Sequence, residues 1–362
     1  MIFAIPLDNR TPFSALTNVQ LDADGQEVLI AMFSASFQLS EATGALEPAA
    51  DPLPVTLGDI PAGAPGRSSI RYDSDACATK PGVDVVVNGT AYAPKGKPVR
   101  EMQVGLQVGP IRKVLHVMGD RLYDAGGYSA PHPFTKMPIV YERAYGGTTE
   151  DGRVDPRNPV GIGYRHAPSS DPAVRSQAPN ITYPEEPHIS PSDRPRPAGF
   201  GVVSRAWQPR VGLAGTYDQA WRDTQWPLPA KDFDDRHNLS APTDQQMQRL
   251  AGGETVTLVG MTPSGRLEFR VPTVTAPIRL VFDDRVEEQA FKPDSLIIEP
   301  DLSRVTLKAR LSMVPKRNGP GLRSILFGHA TPALVLAHRK RKPYFTSLGG
   351  DGTVQGISAW RA

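Results

Sequence analysis

Apolar and polar residues alternate along several stretches of this chain, and turn residues separate them into pairs. Met102, Val104, Leu106 and Val108 alternate with Gln103, Gly105 and Gln107 before Gly109-Pro110 breaks the run and 111–117 resumes it. A period of two places alternate side chains on one face, so this spacing predicts a hairpin with one buried side. The pattern returns further on. Val256 and Leu258 precede the turn Thr262-Pro263-Ser264-Gly265, after which Leu267, Phe269 and Val271 alternate with Arg266, Glu268 and Arg270. Ile278, Leu280 and Phe282 make another set. The longest is Val305, Leu307, Ala309, Leu311 and Met313, with Thr306, Lys308, Arg310 and Ser312 expected to face out.

A β-branched and aromatic run at 28–39 follows the turn Asp22-Ala23-Asp24-Gly25, and 69–73 and 84–89 read as two strands around Lys80-Pro81-Gly82. Helical signals are few: 217–225 and 243–250 each suit two turns, the second with Pro242 and Thr243 at its start. After the break at Asn318-Gly319-Pro320-Gly321, the 322–337 stretch suits a short helix or a strand pair. These elements predict a mainly β fold of antiparallel, sandwich-like sheets with few short helices. They divide the chain into a main domain at 1–314 and a C-terminal extension at 315–362. Within the domain, β-rich halves at 1–130 and 250–314 flank a long irregular region at 131–249.

Composition sharpens this picture in one respect. The 37 prolines and 33 glycines are dense in turns and disfavour long helices. Other classes are excluded. Lysine plus arginine (40) nearly balances aspartate plus glutamate (38), which gives no reason to expect nucleic acid. No apolar run approaches the roughly 18 residues of a membrane span. Cys77 is the only cysteine, so there is no intrachain disulfide. The first ten residues lack the basic start and apolar segment of a signal peptide, and a cytoplasmic protein is the simplest expectation.

Candidate chemistry concentrates at 137–237, where three of the four tryptophans stand among Gly and Pro. No nucleophile elbow, phosphate loop or His-Glu-x-x-His motif occurs there or elsewhere. Asp232-Phe233-Asp234-Asp235-Arg236-His237 has carboxylates close enough to share a cation, but such runs more often serve as turns and caps. Glu142 with Asp155 or Asp218 has the makings of a two-carboxylate hydrolase or carbohydrate-active enzyme. A buried Glu142–Arg143 ion pair bracing the loops explains the same residues with less. Trp207 and Arg210 are the best placed to reach a partner, because Trp and Arg supply much interface energy per residue. The run His338-Arg339-Lys340-Arg341-Lys342 reads as a solvated cationic stretch.

Several short motifs occur in a characteristic order. They are Asn9-x-Thr11-Pro12-Phe13, Ile70-Arg71-Tyr72-Asp73-Ser74-Asp75, Lys80-Pro81-Gly82, Asn88-Gly89-x-Ala91-Tyr92 and Val108-Gly109-Pro110-x-Arg112-Lys113. Tyr141-Glu142-Arg143-Ala144-Tyr145-Gly146-Gly147, Asp155-Pro156-Arg157-Asn158-Pro159, Gly199-Phe200-Gly201, Trp207-Gln208-Pro209-Arg210 and Gly215-Thr216-Tyr217-Asp218 continue it. In this the chain resembles a bacterial domain-of-unknown-function family, DUF 2169, encoded beside the spike and PAAR-tip genes of type VI secretion systems. The resemblance implies a non-enzymatic adaptor or chaperone that loads an effector onto the spike or PAAR tip in the cytoplasm. It implies no catalytic residues, cofactor or metal. The contact or bracing residues expected on this reading are Tyr141, Glu142, Arg143, Tyr145, Arg157, Asn158, Trp207, Arg210, Tyr217 and Asp218.

Overall fold

The 28–39 run folds as a 13-residue strand, Glu27–Leu39, buried on both faces apart from its ends. The computed structural model that shows this describes residues 5–124, 127–149, 151–164, 176–190, 192–315, 321–344, 347–348 and 354–355. Glu27–Leu39 belongs to the largest sheet, ordered Gln246–Met247, Val83–Val87, Pro293–Glu299, Arg304–Met313, Glu27–Leu39, Ser14–Leu21, with Leu46–Pro48 on the far end of Glu27–Leu39. Neighbours run antiparallel except Val83–Val87 beside Pro293–Glu299, which are parallel.

The hairpin expected over 102–117 forms along its whole length: Glu101–Val108 and Ile111–Met118 pair from Ile111↔Val108 to Met118↔Glu101. Thr255–Val259 lies on the other side of Glu101–Val108, with Leu258 opposite Leu106, and Arg266–Arg270 and Ile181–Thr182 form the edges of this five-stranded sheet. A third sheet orders Leu7–Asn9, Leu322–Phe327, Ile278–Phe282 and Val286–Gln289.

Alternation explains the packing. Leu29, Ala31, Phe33, Ala35 and Phe37 project to one side of their strand and meet Val104, Leu106, Leu115, Leu258, Phe269, Leu307 and Phe327 in one continuous core that draws on all three sheets. Phe33 and Phe327 meet edge to face with centroids 4.8 Å apart. Each such fully buried side chain contributes about 1.5–3 kcal/mol of burial.

The strands expected at 69–73 and 84–89 both form, as Ile70–Tyr72 against Ile60–Pro61 and as Val83–Val87 within the largest sheet. Four other expectations change. The 243–250 segment forms a single 3-10 turn, Thr243–Gln245, and then the short strand Gln246–Met247, because pairing with Val83–Val87 satisfies its backbone better than a second helical turn. Within the extension, Leu322–Phe327 is an interior strand with Ile325 and Phe327 fully buried, and helix Pro332–Arg339 follows it, so this part belongs to the fold. His338 is buried too, with Nδ1 2.9 Å from Ser324 Oγ, so the cationic run begins inside the protein. The fourth concerns Thr306, Lys308 and Arg310. They do point away from the core, but loops cover that face, and Lys308 is buried.

Candidate functional site

The covered face of the largest sheet carries polar side chains at alternate positions: Ser34 and Ser36, Asp84, Ser295 and Glu299, Thr306, Lys308 and Arg310. A buried charge is tolerated only when paired and hydrogen-bonded. The pairs come from the motif 70–75, which crosses the sheet as a strap. Arg71 Nη2 and Tyr72 OH donate to Glu299 Oε1 at 2.7 and 2.6 Å, and Arg304 holds the other oxygen. Lys308 Nζ donates to both Asp75 oxygens at 3.0 and 2.7 Å, and Thr56 N donates to Oδ2 as well. Asp73 faces the other way and accepts from Arg205 and Arg210, each at 3.0 Å. Burial alone would raise the Asp73 carboxyl, but Arg210 and Arg205 outweigh it and hold it below its ordinary value. Lys80 and Arg310 complete the layer. Lys80 pairs with Asp84 at 2.7 Å, and Arg310 with Asp294 at 2.6 Å.

The irregular 137–237 region is built on this strap, and its motifs interlock. Asn158 is fully buried and its Nδ2 donates to the carbonyls of Tyr141 and Tyr145, at 2.8 and 3.0 Å. Gly146 adopts φ 146°, and a Cβ there would sit 2.2 Å from the Asn158 carbonyl oxygen, so only glycine fits beside that asparagine. Asp155 and Arg157 form a two-pronged pair at 3.0 and 2.7 Å, and the guanidinium lies over the Tyr145 ring. Trp207 packs edge to face on Tyr141, and the Gln208 amide donates to Pro156 O. Arg210 donates to the carbonyls of His237 and Val203 besides Asp73.

Tyr141, Tyr145, Asn158, Trp207 and Arg210 are buried and act as braces. This corrects the expectation that Trp207 and Arg210 reach a partner: a guanidinium 4% exposed and bonded on all sides has nothing left to offer. The Glu142–Arg143 pair does not form. Glu142 accepts from Ser69 N and Oγ at 2.7 and 3.0 Å, while Arg143 contacts Asp120 and Asn180. Asp218 caps helix Gln219–Thr224 by accepting from Trp221 N. Asp232 accepts from Thr216, and Asp234 from Arg236, so these carboxylates serve as turns and caps. Among the described residues no group of three or more His, Cys, Asp or Glu side chains is arranged to hold a metal ion.

Two further buried titratable residues had no expected role: Lys113, at the end of the motif Val108-Gly109-Pro110-x-Arg112-Lys113, and His188. Lys113 sits 4% exposed under the Tyr183 and Phe200 rings, bonded to Asp244 and Gln245, and burial pushes its amine down to about 8. His188 lies between Tyr145 and Tyr128, and burial pushes its ring down to about 4.

The exposed aromatics lie elsewhere, at 217–228. Tyr217, Trp221 and Trp226 stack edge to face in sequence, 4.8 and 5.6 Å apart, with Trp226 68% exposed. Gln225 Nε2 donates to Ala23 O, which ties this group to the tip of the Ser14–Leu21 hairpin. A cleft of about 450 Å³ between them is lined by Leu21, Cys77, Tyr217, Lys231, Asp235 and His237, among others.

These features define a class: a β-rich protein whose polar motifs brace loops on a sandwich-like scaffold. The chain belongs to the family described as an uncharacterized protein conserved in bacteria (DUF2169), whose model matches residues 24–310. No curated protein and no solved structure matches it. Among the described residues no helix is long and apolar enough to cross a membrane.

Proposed function

We propose that the chain is a non-enzymatic adaptor or chaperone that binds a type VI secretion effector in the cytoplasm and helps load it onto the spike or PAAR-type tip. The observation that carries this reading is a division of labour between side chains. Most of the motif residues are consumed in bracing, while Tyr217 of the last motif joins Trp221 and Trp226 in a group of exposed aromatics beside a strand edge. A rigid scaffold presenting Trp and Tyr is what a protein-binding surface requires. The hydrolase alternative needs Glu142 and Asp155 available to a substrate. Both are engaged by protein donors: Glu142 by Ser69, and Asp155 by Arg157.

Deleting the gene should abolish export of one effector encoded nearby while the secretion tube still fires. Unchanged export of every effector in the deletion strain would overturn the proposal. A Glu142→Gln/Asp155→Asn double variant separates the alternative, since loss of a hydrolytic activity with export intact would favour an enzyme.

A further inference from the structure

Besides the three-residue strand Leu46–Pro48, the three main sheets have six edges, and five are protected. Gln246–Met247, Ile181–Thr182 and Leu7–Asn9 are only two or three residues long. Arg266–Arg270 and Val286–Gln289 carry charges, which discourage pairing with another chain. The sixth edge, Ser14–Leu21, is eight residues long, has no charged residue, and exposes Leu16, Val19 and Leu21 at 38%, 36% and 46%. Among the described residues its backbone groups bond only to Glu27–Leu39. Gln20 and Thr17 bond by their side chains to Ala76 O and Ile5 O, which frames the strand without pairing it. At about 3.3 Å per residue the open ladder spans roughly 26 Å.

The surroundings say what fits. The aromatic stack and the cleft lie at the Leu21 end of this edge. Over residues 22–24 and 217–236 there are seven aspartates against three lysines and arginines, 3 − 7 = −4, on a chain whose net charge is +2. Arg236 is already tied to Asp234.

We propose that Ser14–Leu21 is a docking edge that takes an extended, cationic segment of a partner protein as an added strand, with an apolar side chain of that segment seated against Trp226 and Tyr217. The main-chain ladder supplies affinity, the aromatic stack an anchor, and the aspartates the selection for lysine or arginine. This deepens the adaptor reading and rests on it for the identity of the partner as a protein.

The test uses the full chain and three fluorescent ten-residue peptides: one alternating valine with lysine, its glutamate counterpart, and the lysine peptide with alternate backbone amides N-methylated. The lysine peptide should bind, weaken as salt rises, and slow amide hydrogen exchange within 14–21. The other two should bind at least tenfold more weakly. Trp226→Ala and Val19→Lys, both at exposed positions, should each weaken the lysine peptide about tenfold with unchanged thermal unfolding. Equal binding of the lysine and glutamate peptides, indifference to N-methylation, or no binding would overturn the proposal. So would binding that appears only after deletion of residues 1–4, which would make the chain's own start the occupant. A concentration-dependent dimer lost in Val19→Lys would assign the edge to a second copy and likewise overturn it. Failure of the peptide with effector export still dependent on the gene leaves the adaptor reading standing. Binding with export independent of the gene removes that reading and leaves the edge.

Discussion

Two loop regions of this molecule use the same residue types for opposite ends. Across the covered face of the largest sheet, Arg, Asp, Tyr and Trp are buried and the charged groups are paired, as in Arg71 and Tyr72 on Glu299 or Arg210 on Asp73. Along 217–236, similar residues are exposed, and Asp218 and Asp234 cap turns within a segment that keeps an excess of aspartate. The difference lies in what each region rests on. The 70–75 strap lies over buried strand charges that must be paired, so its side chains are committed. The 217–228 group leans on a hairpin tip and leaves its rings in water.

The comparison breaks first at the strap. Arg210→Ala leaves Asp73 with one cation and leaves the His237 and Val203 carbonyls without their donor. Removing one partner of a buried pair costs about 3–5 kcal/mol, and urea unfolding should show a loss of that size. Arg210→Lys should recover little, because an ammonium cannot span both the carboxylate and the carbonyls. An unfolding midpoint within error of the parent would show that the strap is not what holds the loops. Asn158→Ala comes next. It strands the Tyr145 carbonyl, leaves the Tyr141 carbonyl with the Ala144 N–H alone, and should cost about 1–3 kcal/mol, again read by urea unfolding.

A third effect is a slope with pH. His188 ionises near 4 in the folded chain, below its ordinary value of 6.5. Above 6.5 neither state binds the proton; between 6.5 and 4 only the unfolded chain does, so stability falls as pH falls through that window. Asp73 and Asp294 are held below their ordinary value of 3.8, so their contribution is present above it and fades only at lower pH. His188→Gln should therefore reduce the slope between pH 6.5 and 4, leaving intact the acid limb and the share of His237, whose ring burial also pushes down. A parent profile already flat in that window would refute the assignment.

How far the sequence reaches is clear from particular residues. Period two located the hairpins and told which way Lys308 points, since that depends only on the pleat. It did not tell that Lys308 is covered, because cover comes from a loop more than 200 residues away in sequence. The same holds for Lys113 and His188, whose burial arises from tertiary packing. Trp207 and Trp226 illustrate the limit for the site. Both stand within two residues of a proline in loop-like sequence, yet one is 6% exposed and the other 68%. Neighbouring residues cannot separate them. The interlocking of Tyr141, Asn158 and Gly146 was legible only as motifs, since its meaning depends on which carbonyl each side chain meets.

The smallest expected effect on stability sharpens the comparison most. Trp226→Ala and Tyr217→Ala remove exposed rings and should change unfolding free energy by about 0.5 kcal/mol or less. Trp207→Ala removes a buried ring that packs on Tyr141 and should cost about 3–5 kcal/mol. If the two regions differ as described, the first pair should fold like the parent yet lose binding of the cationic peptide, whereas Trp207→Ala should lose stability. Pulldown of the cognate effector by the same variants extends the test to the natural partner. Should Trp226→Ala instead unfold the protein, the exposed rings would be braces too, and the distinction between a committed strap and an available flank would fall.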